Sequence, residues 1–255
     1  MSRADGRGPG QLRPITIEPG FIENAHGSVL FSIGKTRLVC TAMIEESVPG
    51  WMRGRGSGWV TSEYGMLPGS TSERKSRDSA RGRQDGRTVE IQRLIGRSLR
   101  SVVDFKGLGE RTVWIDCDVL QADGGTRCAA ICGGYVALVL ALTGLVDSRK
   151  LRELPLTDSV AAVSVGIVDG VPMLDLPYEE DSRAEVDMNV VISGRGQMIE
   201  VQATAERTPF GRASLDELLV LAADGIEQIS ALQTRVLHEA RTAAAGSITS
   251  PSTTP

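Results

Sequence analysis

The chain has 255 residues, of which 41% are hydrophobic and 24% are charged, as is usual for a soluble globular protein. Its formal net charge of −4 excludes a uniformly basic nucleic-acid-binding surface, although the segment from Arg74 to Arg87 carries six basic residues against two acidic ones. Four cysteines without a CxxC pair, together with only two histidines, argue against a zinc site, a disulfide framework and histidine-assisted nucleophilic catalysis.

The ends of the chain and its apolar segments bear on its location. The N-terminal stretch MSRADGRGPGQLRP has no apolar core of the kind found in secretory signals. The longest apolar run, Tyr135 to Val146, is interrupted by Thr143 and Gly144 and is too short to span a bilayer. We therefore expect a cytoplasmic protein without a membrane segment. Residues 243–255 are small and polar with two prolines, and we expect a disordered tail there.

The first half of the chain, about residues 1–150, begins with an alternating pattern, SVLFSIGKTRLVCTAMIEE, which predicts two strands joined by a tight turn at Gly34-Lys35. A stretch rich in glycine and serine, from about Ser47 to Gly86, predicts a long loop. TVEIQRLIGRSLRSVVD then has apolar residues at helical spacing, and RTVWIDCDVL alternates as a strand does. A long apolar helix is predicted after Gly125.

The second half, about residues 151–242, repeats this plan. VAAVSVGIVDGVPMLDL predicts a hairpin that turns at Asp169-Gly170, and AEVDMNVVISG and QMIEVQATAE predict two further strands. A final helix is predicted from about Ser214 to Thr242. Strand hairpins followed by helices, used twice, predict a two-layer α/β fold with mixed sheets, which we expect to form a single domain over residues 1–242.

Two helix starts in the sequence are candidate anion sites. Gly124-Gly125-Thr126-Arg127 lies between a strand and a helix, where unpaired N–H groups attract anions and glycines let a ligand approach the backbone. Arg127 offers a fork that suits phosphate, and Arg87 precedes another predicted helix with Thr88 as its cap. An ordinary strand-to-helix turn with a solvated arginine explains the tetrapeptide equally well. Neither a Walker nor a Rossmann spacing is present.

An acidic stretch, LDLPYEEDSRAEVDMNV, provides candidate metal ligands. Alternation in its strand places Ala184 and Val186 on one face and Asp187 on the other, and Asp181 lies on the preceding loop within reach of the same space. Two carboxylates suit Mg²⁺, which takes oxygen ligands and fills its remaining positions with water and substrate phosphate. A solvated acidic loop is the alternative explanation.

Several stretches in one order resemble the ribonuclease PH family of phosphorolytic exoribonucleases. They are ADGR, LRPI, GSVLFSIGKTRLVCTA, GWVTSEYGMLPGST, GRTVEIQRLIGRSLR, IDCDVLQADGGTR and YEEDSRAEVDMNVV, and they cover the chain from about Arg3 to Arg241. The resemblance implies the ribonuclease PH-like two-layer fold and assembly as a homohexamer, a trimer of dimers. It also implies the processing of tRNA and ribosomal RNA.

The same resemblance implies roles for individual residues. Arg87, Gly125, Thr126 and Arg127 match the family's phosphate site, and Asp181 and Asp187 match its catalytic, metal-binding carboxylates, with Mg²⁺ as the cofactor. The basic segment matches the region that contacts tRNA, through Arg74, Arg77 and Arg81.

The implied reaction is phosphate-dependent trimming of tRNA 3′ ends, which releases nucleoside diphosphates and runs backwards when these are abundant. The alternatives are a non-catalytic ring subunit of an exosome-like assembly, a polynucleotide phosphorylase and a small-molecule kinase. A ring subunit would typically lack part of the phosphate or carboxylate set, which is complete here. A polynucleotide phosphorylase needs a longer, duplicated chain, and no nucleotide motif supports a kinase.

Overall fold

The computed structural model describes residues 3–77, 80, 82–206 and 209–247. Nine strands lie in this part of the chain: β1 (Ile15–Pro19), β2 (Gly27–Ile33), β3 (Thr36–Glu45), β4 (Trp59–Met66), β5 (Thr112–Gln121), β6 (Val160–Val168), β7 (Val171–Leu174), β8 (Val186–Ser193) and β9 (Met198–Ala205). The α-helices described there are α1 (Gly86–Arg100), α2 (Phe105–Leu108), α3 (Thr126–Asp147), α4 (Tyr178–Asp181) and α5 (Arg212–Ser247).

The first half forms a five-stranded sheet in the order β1-β2-β3-β5-β4. The predicted turn at Gly34-Lys35 joins β2 to β3, and β5 buries the alternating residues Val113, Ile115 and Cys117, as expected. The predicted loop between Ser47 and Gly86 contains a strand that the sequence analysis missed. This strand, β4, pairs in parallel with β5 at the edge of the sheet. Only Val60 and Tyr64 of β4 are buried, so its apolar pattern is too sparse to predict a strand.

The second half forms a four-stranded sheet in the order β7-β6-β8-β9. Every pairing in this sheet is antiparallel, so that the prediction of mixed sheets holds for the first half and is wrong for the second. The predicted turn at Asp169-Gly170 is present, with both residues at positive φ (51° and 74°), the conformation that two-residue hairpins favour. On β8 the residues flanking Asp187 are buried on the opposite face, as the alternation predicted.

Helix α3 is the centre of the core and contacts both sheets. It is also the one described helix that is long and apolar enough to cross a membrane by length and composition. It extends the apolar run Tyr135–Val146 toward the N-terminus and is therefore longer than the run on which the sequence analysis relied. Within its most apolar stretch 78% is buried inside the protein, and core helices pass the same test, so this is weak evidence for a membrane span.

One hydrophobic cluster contains buried residues of both halves, including Leu38 and Ile115 of the first and Val163 and Val190 of the second. All four cysteines are buried and free, as expected of small core residues. The last helix, α5, runs from Arg212 to Ser247, so residues 243–247 are helical, although composition assigned them to a disordered tail. The rest of that tail, 248–255, lies outside the described residues.

Candidate active site

A cleft with about 1810 Å³ of open space lies where the two halves meet. Its lining includes six residues that the sequence analysis singled out for phosphate and metal: Arg87, Gly125, Thr126, Arg127, Asp181 and Asp187. These residues come from α1, from the start of α3 and the turn before it, from α4 and from β8, so separate stretches of the chain converge on one space. The cleft therefore combines a candidate anion site with a pair of carboxylates.

The Gly124-Gly125 turn presents the N-terminus of α3 to this cleft. Both glycines have positive φ (74° and 69°), a conformation that other residues rarely adopt, and Gly125 is the residue that caps α3. A side chain on Gly124 would collide with the backbone of Leu176 and Pro177, so this glycine also allows the halves to meet closely. The turn leaves the first N–H groups of α3 free to bind an anion.

The hydroxyl of Thr126 is oriented by a buried tyrosine, Tyr64. The hydroxyl of Tyr64 donates to Oγ1 of Thr126 at 2.9 Å, and both side chains are buried. Burial raises the pKa of Tyr64, which keeps its hydroxyl protonated and able to donate. Because Oγ1 of Thr126 already accepts this bond, its own proton is available to donate to an anion in the cleft.

The two arginines reach the cleft from different helices. Arg127 is partly buried, and its Nη1 donates to Oε1 of Gln202 at 2.7 Å and lies 3.4 Å from Oε1 of Glu90. Arg87 is exposed and lies within the first turn of α1, whereas the sequence analysis placed it just before the helix start. Asp85 caps this helix by accepting from the N–H of Thr88, so the prediction that Thr88 is the cap was wrong.

The carboxylates of Asp181 and Asp187 are partly buried and repel each other. Burial, followed by the charge of Asp181, raises the pKa of Asp187 to about 6, and Arg127 and Arg87 oppose this rise. Burial also raises the pKa of Asp181, again against Arg87 and Arg127. Two negative charges held in a partly dry cleft are unfavourable unless a cation neutralises them.

These two carboxylates match the donor set that Mg²⁺ takes where it shares a site with a phosphate ligand. The described residues contain no group of three or more His, Cys, Asp and Glu side chains that could hold a metal by themselves. Mg²⁺ is commonly held by one or two carboxylates, with water and substrate phosphates completing its coordination. Asp181 and Asp187 supply that donor set, and a cation bound between them would offset the repulsion that, after burial, raises the pKa of Asp187.

The part of the basic segment that precedes α1 is called the basic loop, and its described residues lie only partly along the cleft. Arg74 is exposed and lines it together with Lys75 and Met66, which the sequence analysis did not single out. Arg77 instead lines a neighbouring pocket of about 590 Å³ that shares Met66 and Lys75 with the cleft. Arg81 lies outside the described residues.

Sequence reasoning missed several polar residues of the site because their partners are distant in the chain. Asn189 is buried, lies two residues after Asp187 on the same face of β8 and accepts from the thiol of Cys128 at 3.2 Å. Tyr64 lies on the missed strand β4, and Arg13 and Asp175 form a buried ion pair at 2.7 Å behind the glycine turn. The alternation that placed Asp187 also places Asn189 and was the one available signal.

The fold and the cleft define an α/β protein in which a candidate anion site and a carboxylate pair line one cleft, a combination suited to phosphoryl transfer. Comparison with known proteins gives the particular family. Residues 11–143 match the 3′ exoribonuclease family, domain 1, and residues 158–225 match its domain 2. The chain therefore belongs to the ribonuclease PH family of phosphate-dependent 3′-to-5′ exoribonucleases.

Individual relatives agree with this assignment. The chain is 57% identical over 237 residues to a protein of Syntrophomonas wolfei named ribonuclease PH, covering 93% of this chain and 99% of that protein. It is 57% identical over 239 residues to a ribonuclease PH of Moorella thermoacetica, covering 94% and 96%. In fold it is similar to an Archaeoglobus fulgidus exosome structure with RNA bound to the active site, at 22% identity and a TM-score of 0.75, covering 90% of this chain and 91% of that one.

Proposed function

We propose that this enzyme trims the 3′ ends of tRNA and other structured RNAs by phosphorolysis, with inorganic phosphate bound by Arg87, Gly125, Thr126 and Arg127. Phosphate attacks the last 3′ phosphodiester, a new P–O–P bond forms, and the bond to the 3′ oxygen of the penultimate nucleotide breaks. The products are a nucleoside diphosphate and an RNA that is one nucleotide shorter. Since the diphosphate conserves the energy of the cleaved bond, the reaction runs backwards when nucleoside diphosphate is abundant.

The main barrier to this reaction is the approach of one anion to another. The helix N-terminus and the side chains of Thr126, Arg87 and Arg127 offset the negative charge of the attacking phosphate. Arg127 lines the cleft, and its bond to Gln202 holds its guanidinium before any substrate binds. Groups fixed in advance in this way stabilise the transition state without reorganising during the reaction.

Asp181 and Asp187 would hold Mg²⁺ in the same cleft. When bound, the ion neutralises charge on the scissile phosphate and on the departing 3′ oxygen. The chain itself contributes two oxygen ligands whose mutual repulsion favours cation binding. No covalent intermediate with the protein is required, and the described residues that line the cleft include no histidine or cysteine.

The RNA body is proposed to lie along the basic loop. Arg74 lines the cleft and Arg77 lines the neighbouring pocket, which supports a path for the RNA along both. We further propose a cytoplasmic enzyme that assembles as a homohexamer, a trimer of dimers, which would bring several basic loops near one tRNA. Arg81 is assigned to the same surface on sequence grounds.

The convergence of the anion turn and the carboxylate pair on one cleft carries this proposal. A non-catalytic ring subunit of the same fold would bind RNA without a need for either group. Here both are present, and the anion side is supported by a buried bond from Tyr64 to Thr126 and a partly buried bond from Arg127 to Gln202. A catalytic enzyme explains these contacts and a ring subunit does not.

The test is a trimming assay on a tRNA with extra 3′ nucleotides, in Mg²⁺, with and without inorganic phosphate. We expect shortening that requires phosphate and yields nucleoside diphosphates. Arg127→Ala should abolish it and leave tRNA binding unchanged. Arg93→Ala is the matched control, because Arg93 is exposed on α1 but does not line the cleft.

Each other outcome would refute a defined part of the proposal. Nucleoside monophosphates formed without phosphate would mean hydrolysis and would remove the role assigned to the glycine turn. Bound but uncleaved RNA under both conditions would favour the non-catalytic ring subunit. Equal loss of trimming and of tRNA binding in Arg127→Ala would show that Arg127 does not act on phosphate specifically.

A further inference from the structure

The carbonyl of Gly124 is held from inside the protein by two side chains that lie outside the cleft. Oγ1 of Thr36, at the start of β3, donates to this carbonyl at 2.8 Å, and Nη2 of Arg13 lies 3.4 Å from it. Thr36 is completely buried and Arg13 is 4% exposed. Neither residue lines the cleft, so neither can contact the phosphate itself.

The direction of this carbonyl fixes the direction of the next N–H group. A trans peptide is planar, and its C=O and N–H point to opposite sides. With the carbonyl of Gly124 turned inward toward Thr36, the N–H of Gly125 points outward, on the side of the cleft that Gly125 lines. Among the described residues this N–H has no hydrogen-bond partner, so it is available to an anion.

The peptide between the two glycines needs this support because little else prevents it from turning over. Glycine populates positive and negative φ almost equally, so a flip of the Gly124–Gly125 peptide meets no side-chain barrier. A flipped peptide would point a carbonyl into the anion site and remove one donor from it. Removing a fixed donor from such a site costs far more than the bond itself would be worth in water.

Thr36 and Arg13 are themselves held firmly. Oγ1 of Thr36 also accepts from the N–H of Asp123 at 2.8 Å, so one hydroxyl holds both the peptide that precedes Asp123 and the peptide that follows Gly124. The guanidinium of Arg13 donates to the carbonyl of Asp123 and to both carboxylate oxygens of Asp175, at 2.9 and 2.7 Å. Asp175 is 1% exposed and so cannot move to follow a loosened turn.

We infer that Thr36 and Arg13 are positioning residues that lock the Gly124–Gly125 peptide with its N–H facing the bound phosphate. This rests on the proposed role of the turn as the phosphate site. Loss of the Thr36 hydroxyl should weaken phosphate binding selectively, because among the described residues its hydrogen bonds go to the turn and not to the carboxylates or the basic loop. Sequence patterns do not reveal the contact between Thr36 and Gly124, since these residues are 88 positions apart.

Thr36→Val is the decisive variant, because valine keeps the shape of threonine and removes both hydrogen bonds to the turn. Thr36→Ser keeps the hydroxyl and should restore the lock. Thr112→Val is the matched control: Thr112 is 2% exposed in the same sheet, and its hydroxyl donates to the carbonyl of Ser47 at 2.7 Å, away from the cleft. Arg13→Lys, which keeps the charge but loses the fork, is a second variant if Thr36→Val does not fold.

Two measurements are made on each variant. The first is calorimetric binding of inorganic phosphate without RNA, and the second is phosphorolysis with KM for phosphate separated from kcat and from RNA affinity. Thr36→Val should raise both Kd and KM for phosphate about tenfold, equal to about 1.4 kcal/mol. Thr36→Ser and Thr112→Val should stay within about threefold of the parent protein, or about 0.7 kcal/mol.

The result that overturns the inference is a phosphate Kd in Thr36→Val no weaker than in Thr112→Val. An equal loss of phosphate and RNA affinity in Thr36→Val would also overturn it, because it would show a general loosening of the fold. Failure of the proposed function looks different. The parent protein would then trim RNA without phosphate, while the binding measurement would still decide whether Thr36 holds the turn. A parent protein that binds no phosphate at all would overturn both.

Discussion

Asp187→Asn should raise the stability of the metal-free protein at pH 8. The same substitution should abolish trimming of RNA in the presence of Mg²⁺. The pKa of Asp187 rises from 3.8 to about 6 in the folded protein, chiefly through burial and then through the charge of Asp181. A carboxyl with a raised folded-state pKa destabilises the fold wherever it is ionised. Stability is therefore highest below pH 3.8 for this group and is lost as the pH rises through about 6.

The size of the effect follows from the two pKa values. Each pH unit between them corresponds to about 1.4 kcal/mol, so the rise to about 6 sets an upper limit of about 3 kcal/mol. Asp187 is only partly buried, and solvent screening reduces this limit, so a gain of about 1–2 kcal/mol is expected at pH 8. For a chain of this length that corresponds to a rise of roughly 2–8 °C in Tm.

The assay is thermal unfolding of parent and variant at one protein concentration, from pH 4 to pH 8, with chelator or with Mg²⁺. The gap between the two proteins should be widest at pH 8 in chelator, should narrow as the pH falls below about 6 and should close toward pH 4. Mg²⁺ should raise the Tm of the parent protein and leave that of Asp187→Asn unchanged, because an ion that binds only the folded state stabilises it. Asp224→Asn, at an exposed position on α5, is the control and should not change Tm.

A variant that is no more stable than the parent at pH 8, or a gap that does not change with pH, would refute the reasoning. Either result would mean that the charge of Asp187 is already neutralised within the protein, and the case for a cation between the two carboxylates would lose its physical basis.

Three further predictions concern the phosphate site and the basic loop. Arg127→Ala should reduce phosphate-dependent trimming by at least about a hundredfold, as expected when a fixed charge-stabilising donor is lost, with tRNA affinity unchanged in a filter-binding assay. Arg74→Ala should weaken tRNA binding and lower the slope of log affinity against log salt by about one. An unchanged slope would show that Arg74 does not contact RNA phosphates. Tyr64→Phe should raise KM for phosphate about fivefold without changing RNA affinity, because Thr126 loses the bond that orients its hydroxyl.

Local sequence patterns determined most of the secondary structure, for a physical reason. Turns such as Gly34-Lys35 and Asp169-Gly170 depend on the conformations open to two residues, and the alternation along β5 and β8 depends on neighbours two positions apart. These signals are contained in a few consecutive residues. The same alternation placed Asp187 on the face opposite its apolar neighbours. The family resemblance then connected stretches that no local pattern could connect.

The tertiary structure alone decided how those stretches meet. It placed β4 parallel to β5, a pairing between distant segments that the glycine-rich composition of the region concealed. It brought the turn at Gly125 and the carboxylate of Asp187 to one cleft, where burial and mutual repulsion give the carboxylate a pKa that its sequence neighbours do not imply. It also set Thr36 behind Gly124, 88 residues away. Such contacts depend on the packing of the whole chain, because a buried hydrogen bond gains its strength only when the surrounding residues exclude water.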